Sequence, residues 1–348
     1  MGRYTARRLL EALPVLFVIS LVLFVLMNSI GDPLAILSRE PNRPTGAQLE
    51  RLRRQLGLDQ PILLQYVYWL IGNDWTLVDA DGDGDTDEGM YGTRQGILRG
   101  DLGLSLVTRQ PVAERIIERL PNTLILMIPV YLLVLMLAIG LGIVSALRQY
   151  SFADNLLTTS AYVLRSMPIF FISLGMIFIF SVWFRQIGLP ATPIAGMYIP
   201  GEPPTLVNLL RSMILPVLSL TLISTAGYMR YIRASILEVM NHDYVRTARS
   251  KGLTERRTFT IHVLKNAALP LVTLVGMDLP FILSGAAITE SIFAWPGMGR
   301  LFIESISASD FPVLMGILMM IAVAVVVFQL IADLLYSVID PRISLSYR

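Results

Sequence analysis

The sequence predicts an all-α polytopic membrane protein with six transmembrane helices, and three observations carry that expectation. Hydrophobic residues make up 54% of the 348 and charged residues only 16%, against about 25% charge in an ordinary globular chain. Six stretches each offer enough apolar residues to cross a bilayer, which takes about 20 in a helix that satisfies its own backbone. Arginine and lysine gather in particular short segments between those stretches, as expected where loops remain on the cytoplasmic side.

The stretches lie near residues 9–30, 120–147, 156–184, 213–232, 269–293 and 311–338. The first follows Arg3, Arg7 and Arg8 in the manner of a signal peptide. Its apolar run is about twice a usual signal core and lacks a small-residue cleavage site, so it reads as a retained anchor, residues 1–30. The segment between the fourth and fifth stretches carries Arg230, Arg233, Arg246, Arg249, Lys251, Arg256, Arg257 and Lys265. Both basic segments are expected in the cytoplasm, which gives an N-in/C-in topology and puts a long extracytoplasmic segment, residues 31–119, between the first two helices. Residues 120–338 then form the membrane core and residues 339–348 a cytoplasmic tail.

Within the outer segment, residues 45–58 show helical spacing, with Leu49, Leu52 and Leu56 on one face and Gly57 near the end. Residues 72–95 form an Asp- and Gly-rich insertion in which Asp79, Asp81, Asp83, Asp85 and Asp87 alternate as at the start of a calcium loop. Met90 stands where the bidentate glutamate belongs. Two readings stay open, a structural calcium site and an acidic solvated turn.

The cytoplasmic segment 230–266 is the most informative. Ile236, Leu237, Met240, Tyr244, Val245 and Ala248 recur at helical intervals while the arginines take other faces. Asp243 is a plausible N-cap, and Gly252 stands where a helix would end in the left-handed conformation. A short amphipathic helix over residues 244–251 is expected. By pattern alone it could equally lie on anionic lipid.

Its wording favours another role. "DYVRTARSKGL" followed by "LKNAALP" resembles the coupling segment of permease subunits in the dipeptide, oligopeptide and nickel importer family of ABC transporters. The general signature there is a Glu-Ala-Ala triplet, a glycine after three residues, and a later Leu-Pro. Arg246, Thr247 and Ala248 occupy the triplet, Gly252 is the glycine, and Leu269 and Pro270 close the motif. The first two triplet residues depart from the general form, and the distance to Pro270 is the longer one of the peptide branch. Further stretches support the resemblance in order along nearly the whole chain: "LRRQLGLDQPILLQYVYWL", "GDLGLS", "PVAERIIERLPNTL", "SMPIFF", "AITESIFAWPGMGRL" and "DLLYSVIDPRIS".

The resemblance implies the type I ABC importer permease fold in a prokaryotic plasma membrane. It also implies a second homologous permease, two cytoplasmic ATPase subunits holding the ATP, and an extracytoplasmic solute-binding protein as partners. Asp243, Tyr244, Val245, Arg246, Thr247, Ala248, Arg249, Lys251 and Gly252 would then dock on an ATPase, the apolar members supplying contact and the basic ones charge. The chain contains no P-loop, and its lysines are Lys251 and Lys265 only, so it is not expected to hold ATP itself.

Other chemistry is sparse. The chain lacks cysteine, which excludes disulfides and thiolate metal sites. A net charge of +2 gives no reason to expect nucleic acid. His242 and His262 form no metal motif. Asp278 and Glu290 lie at membrane depth, where a carboxylate is costly and suggests a role. Asp278 could border a water-filled translocation path or bond another helix, and Glu290 could do the same or sit structurally at the interface. Two other classes compete with the transporter subunit. An intramembrane enzyme would need convergent acid, base or metal-ligand residues, which these isolated carboxylates do not provide, and a carrier or channel would work without an ATPase.

Overall fold

The computed structural model describes residues 2–30, 34, 45–79 and 91–339. Among them the only extended pairings are the isolated bridges Leu77–Tyr91 and Leu104–Pro111, and everything regular is helical. Among the described residues, six helices are long and apolar enough to cross a membrane. The chain divides into two units, the first comprising Met1–Pro121 with Leu301–Val326 and the second Asn122–Arg300 with Val327–Arg348.

In the first unit, α1 (Gly2–Ile30) is the N-terminal span, and α2 (Gly46–Gln55) and α3 (Ile62–Ile71) follow it. Thr45 accepts a hydrogen bond from Gln48 N at 3.4 Å while the Gln48 side chain accepts from Thr45 N at 2.9 Å, a capping box. At the other end of α2, Gly57 is left-handed at φ 67°. Gly57 N bonds Arg54 O at 2.9 Å and Leu58 N bonds Arg53 O at 2.8 Å, closing a Schellman turn as the glycine suggested. Phe24 of α1, Tyr66 of α3 and Met315 of α14 (Phe311–Ile339) form one buried cluster, in which Ser20 Oγ lies 2.7 Å from Tyr66 Oη.

The Asp-rich insertion begins and ends in a stem. Asn73 is fully buried, donates to Gln55 O at 3.1 Å and accepts from Arg94 N at 3.0 Å. Gly92 N bonds Thr76 O at 3.2 Å. A β-carbon on Gly92 would collide with the Asn73 side chain. Arg99 forks onto Asp74 at 2.8 and 2.5 Å and also donates to Ile71 O. That guanidinium holds the Asp74 carboxyl below the usual range.

The second unit is organised around α8 (Leu206–Met240), a 35-residue helix capped by Thr205, whose side chain accepts from Asn208 N. At about 1.5 Å per residue it is roughly 50 Å long, well beyond a hydrocarbon layer. It packs against α4 (Val112–Leu147) so closely that a β-carbon on Gly142 would lie 2.8 Å from Ile232 Cγ2. The two expected spans, 120–147 and 213–232, therefore extend beyond their apolar cores as continuous helix.

Two expected spans are interrupted. The stretch 156–184 is two helices, α5 (Phe152–Ser166) and α6 (Ile169–Ile177), the latter continuing through a π-turn at Phe178–Trp183 into α7 (Phe184–Gln186). Pro168 causes the break: it forces Met167 into an extended conformation, φ −81° and ψ 133°. The membrane-length piece is Ile169–Gln186. The stretch 269–293 likewise divides into α11 (Lys265–Ser284) and α12 (Ala287–Ile292), parted at Gly285, whose φ of 75° glycine alone adopts easily.

The corner between α4 and α5 is closed by charge. Asp154, 3% exposed, accepts from Arg233 Nε and Nη2 of α8 at 2.9 Å each, from Ser145 Oγ at 2.5 Å and from Tyr150 N at 2.9 Å. The guanidinium, with help from these donors, holds the Asp154 carboxyl far below its ordinary pKa. A depressed carboxylate stabilises the fold above its unfolded pKa of about 4, and that stability is lost as pH falls through the folded value. Asp154→Asn should therefore destabilise the purified protein by on the order of 3 kcal/mol. The difference in melting temperature from wild type should be equal at pH 6 and pH 8 and should narrow only below about pH 4. An unchanged melting temperature at neutral pH would remove this role.

Candidate functional site

The expected cytoplasmic helix forms as α9 (Asp243–Ser250). Its first residue is Asp243, so the N-cap is His242, and no side chain caps it. The expectation for Asp243 is corrected by one position: the carboxylate instead lies in the first turn, beside the positive end of the helix dipole. The His242 and Tyr244 rings stack with centroids 5.4 Å apart.

The C-terminus matches the expectation. Gly252 is left-handed at φ 80°. Gly252 N bonds Arg249 O at 2.9 Å and Leu253 N bonds Ala248 O at 3.3 Å, the two bonds of a Schellman motif. No atom lies within 4 Å of where a Gly252 β-carbon would stand, so only the backbone angle requires glycine there. Arg249 then pairs with Glu255 at 3.0 Å across the turn.

Burial divides the candidate residues into two sets. Val245, fully buried, and Ala248, 6% exposed, face inward, and Val245 joins the main core with Val263. Asp243, Tyr244, Arg246, Thr247, Arg249, Lys251 and Gly252 are exposed. The outward face is thus charged and polar with one aromatic ring, and Val245 and Ala248 attach α9 to its own chain. Beneath it lie α10 (Glu255–Arg257) and the π-turn Thr258–Leu264, which runs directly into α11.

The two membrane-depth carboxylates have different surroundings. Asp278 of α11 accepts a hydrogen bond from the Tyr228 hydroxyl of α8. Tyr131 Oη of α4 lies 3.1 Å from Tyr228 Oη and 3.2 Å from Val275 O. Asp278 is partly exposed, and among the described residues no arginine or lysine pairs with it.

Glu290 has no exposed surface. Its Oε1 accepts from Thr123 Oγ1 at 3.1 Å and Ala286 N at 3.3 Å, and its Oε2 accepts from Arg300 N at 3.0 Å. Thr123 Oγ1 in turn accepts from Met298 N at 2.7 Å. Trp295, fully buried, donates Nε1 to Asn122 O at 2.8 Å, and Asn122 Nδ2 donates to Pro296 O at 2.9 Å. Glu290 therefore fastens the turn between α12 and α13 (Met298–Ser307) to α4. Tyr131, Tyr228, Thr123, Asn122 and Trp295 escaped the sequence reading. The available signal was a polar or aromatic hydrogen-bonding group inside otherwise aliphatic stretches.

Of the calcium candidates, Asp81, Asp83, Asp85 and Asp87 lie outside the described residues. Asp79 lies 3.9 Å from Arg54. Among the described residues no group of acidic or histidine side chains could hold a metal ion.

Residues 138–345 match the family described as binding-protein-dependent transport system inner membrane component, and residues 1–127 match its N-terminal companion. The oligopeptide transport system permease protein AppB of Bacillus subtilis (strain 168) is 36% identical over 348 residues, covering 99% of each chain. The dipeptide transport system permease protein DppB of Escherichia coli (strain K12) is 33% identical over 363 aligned positions, again covering 99% of each.

Two substitutions separate the carboxylates. Glu290→Gln turns one acceptor oxygen into a donor facing N–H and O–H groups, and should lower stability by about 1–3 kcal/mol. Asp278→Asn keeps an acceptor for Tyr228 and should change stability by less than about 1 kcal/mol. Thermal melts of the two purified variants check both expectations.

Proposed function

The chain belongs to the family of binding-protein-dependent transport system inner membrane components, and from that premise we propose that it pairs with a second homologous permease to form a path for peptides driven by two ATPases. It is a multi-pass permease subunit of the prokaryotic plasma membrane, working with an ATPase and a solute-binding protein. Peptides are the proposed cargo because the full-length relatives carry oligopeptide and dipeptide transport names.

The single observation that carries the coupling role is the two-sided character of α9. Its exposed face, Asp243, Tyr244, Arg246, Thr247, Arg249 and Lys251, offers a ring and several charges to a partner. Its buried face, Val245 and Ala248, sits on the core that contains Val263. A displacement imposed on the outer face would therefore pass through the π-turn into α11 without melting the helix. An amphipathic helix resting on lipid would turn its apolar face to the bilayer, whereas here that face is already occupied. In the N-in/C-in topology proposed from the charge pattern, α9 faces the cytoplasm.

Asp278 is the proposed path residue, since it keeps an open face and an acceptor beyond its bond to Tyr228. Glu290 takes a positioning role instead, holding the α12–α13 turn against α4.

The test exploits the backbone of Gly252. Gly252→Val forces a β-branched residue into the left-handed region, at a cost of about 1–2 kcal/mol concentrated in the exit of α9. Gly252→Asn tolerates that conformation far better. In reconstituted transporter, Gly252→Val should insert normally but lose most peptide uptake per ATP hydrolysed, and Gly252→Asn should keep most of it. Normal coupling in the valine variant would refute the role of this turn, and peptide uptake by the solitary chain would refute the ATPase-driven reading.

A further inference from the structure

The first unit contains a cavity of about 250 Å³. Phe24 and Met27 at the end of α1, Trp69 of α3, and Phe311, Pro312 and Met315 at the start of α14 make about half of its apolar wall, and leucines of the outer segments 52–58 and 102–106 make the other half. The ends of two membrane-length helices, α1 and α14, thus meet in one place. The cavity therefore opens where acyl chains give way to headgroups, the level at which tryptophan is favoured.

Arg94, from the stem of the Asp-rich insertion, lines the same space. It is half-buried, and among the described residues its guanidinium has no hydrogen-bond or ion-pair partner. Asp101 also lines the cavity, but its oxygens accept from Gln95 N at 3.0 Å and Gly103 N at 2.9 Å. Burial pulls the Arg94 pKa down to about 10 in spite of Asp101. A guanidinium with five donors and no paired carboxylate at the wall of a cavity is a ready partner for a bound anion.

We propose that this cavity is a phospholipid site, in which part of one acyl chain packs against Phe24, Met27 and Met315 while the lipid phosphate is held by Arg94. The volume, just below the roughly 300–1,000 Å³ of small-molecule sites, suits a portion of a single chain. Phosphate oxygens match the planar fork of arginine, which binds such groups bidentately. The proposal is independent of peptide transport and of ATPase coupling, and needs only that α1 and α14 cross a bilayer.

The test uses the intact transporter, extracted with mild detergent and analysed by native mass spectrometry. Vesicles of phosphatidylcholine containing phosphatidylglycerol supply the lipid, with oleate as a carboxylate competitor. The wild type should retain one phospholipid on this subunit through washing. Arg94→Gln, altering a half-exposed side chain, should weaken retention at least tenfold, and Met315→Trp should fill the cavity and abolish it. Absence of retained phospholipid, retention unchanged in Arg94→Gln, or preferential retention of oleate would each overturn the proposal. Because Met315→Trp could disturb folding, the Arg94→Gln comparison decides by itself. Loss of peptide uptake with the lipid retained would count against the transport reading and leave this site standing.

Discussion

The hydrocarbon of a bilayer offers no hydrogen-bond partners, so polar groups buried where helices break or turn are paired within the protein. Three buried carboxylates do this at three corners. Asp154 closes the α4–α5 corner with Ser145, Tyr150 N and Arg233. Glu290 closes the breaks around α12 with Thr123, Ala286 N and Arg300 N. Asp310, just before α14, accepts from Ser105 Oγ at 2.5 Å and Leu106 N at 3.1 Å, with Arg115 at 3.5 Å. Each combines a hydroxyl with a backbone N–H, which orients the carboxylate and fixes the corner. Two of the three add an arginine from a neighbouring helix.

The same economy explains α9. A helix of eight residues is too short to be stable in water, so it depends on tertiary contact, which Val245 and Ala248 supply, and on a closed C-terminus, which Gly252 supplies. With its apolar residues used inward, the helix can present charge outward and still remain firmly attached. That combination suits a part on which a partner pushes.

Much of this was readable from residue order. The apolar runs located the spans, Thr45 and Gly57 bracketed α2, and Gly252 marked the end of α9. Pro168 was visible too, yet a continuous apolar run across residues 156–184 concealed its effect, because hydropathy does not register a conformational break. Asp243 was read as a cap because its residue type favours that position, whereas the helix begins one residue earlier and leaves His242 there. The apolar residues of α9 were all read as partner contacts, since periodicity finds a face without telling what covers it.

Sequence alone therefore determined that the chain lives in a membrane, how many helices cross, and where a short basic helix stands between two of them, because these depend on local composition and spacing. Only the tertiary structure decided that Val245 and Ala248 point home, that Glu290 is enclosed while Asp278 keeps an open face, and that Arg94 reaches an apolar cavity. These outcomes depend on which distant residues meet: Thr123 with Glu290, Tyr228 with Asp278, Met315 with Phe24. Burial and pairing are properties of such meetings, and no window along the chain contains both partners.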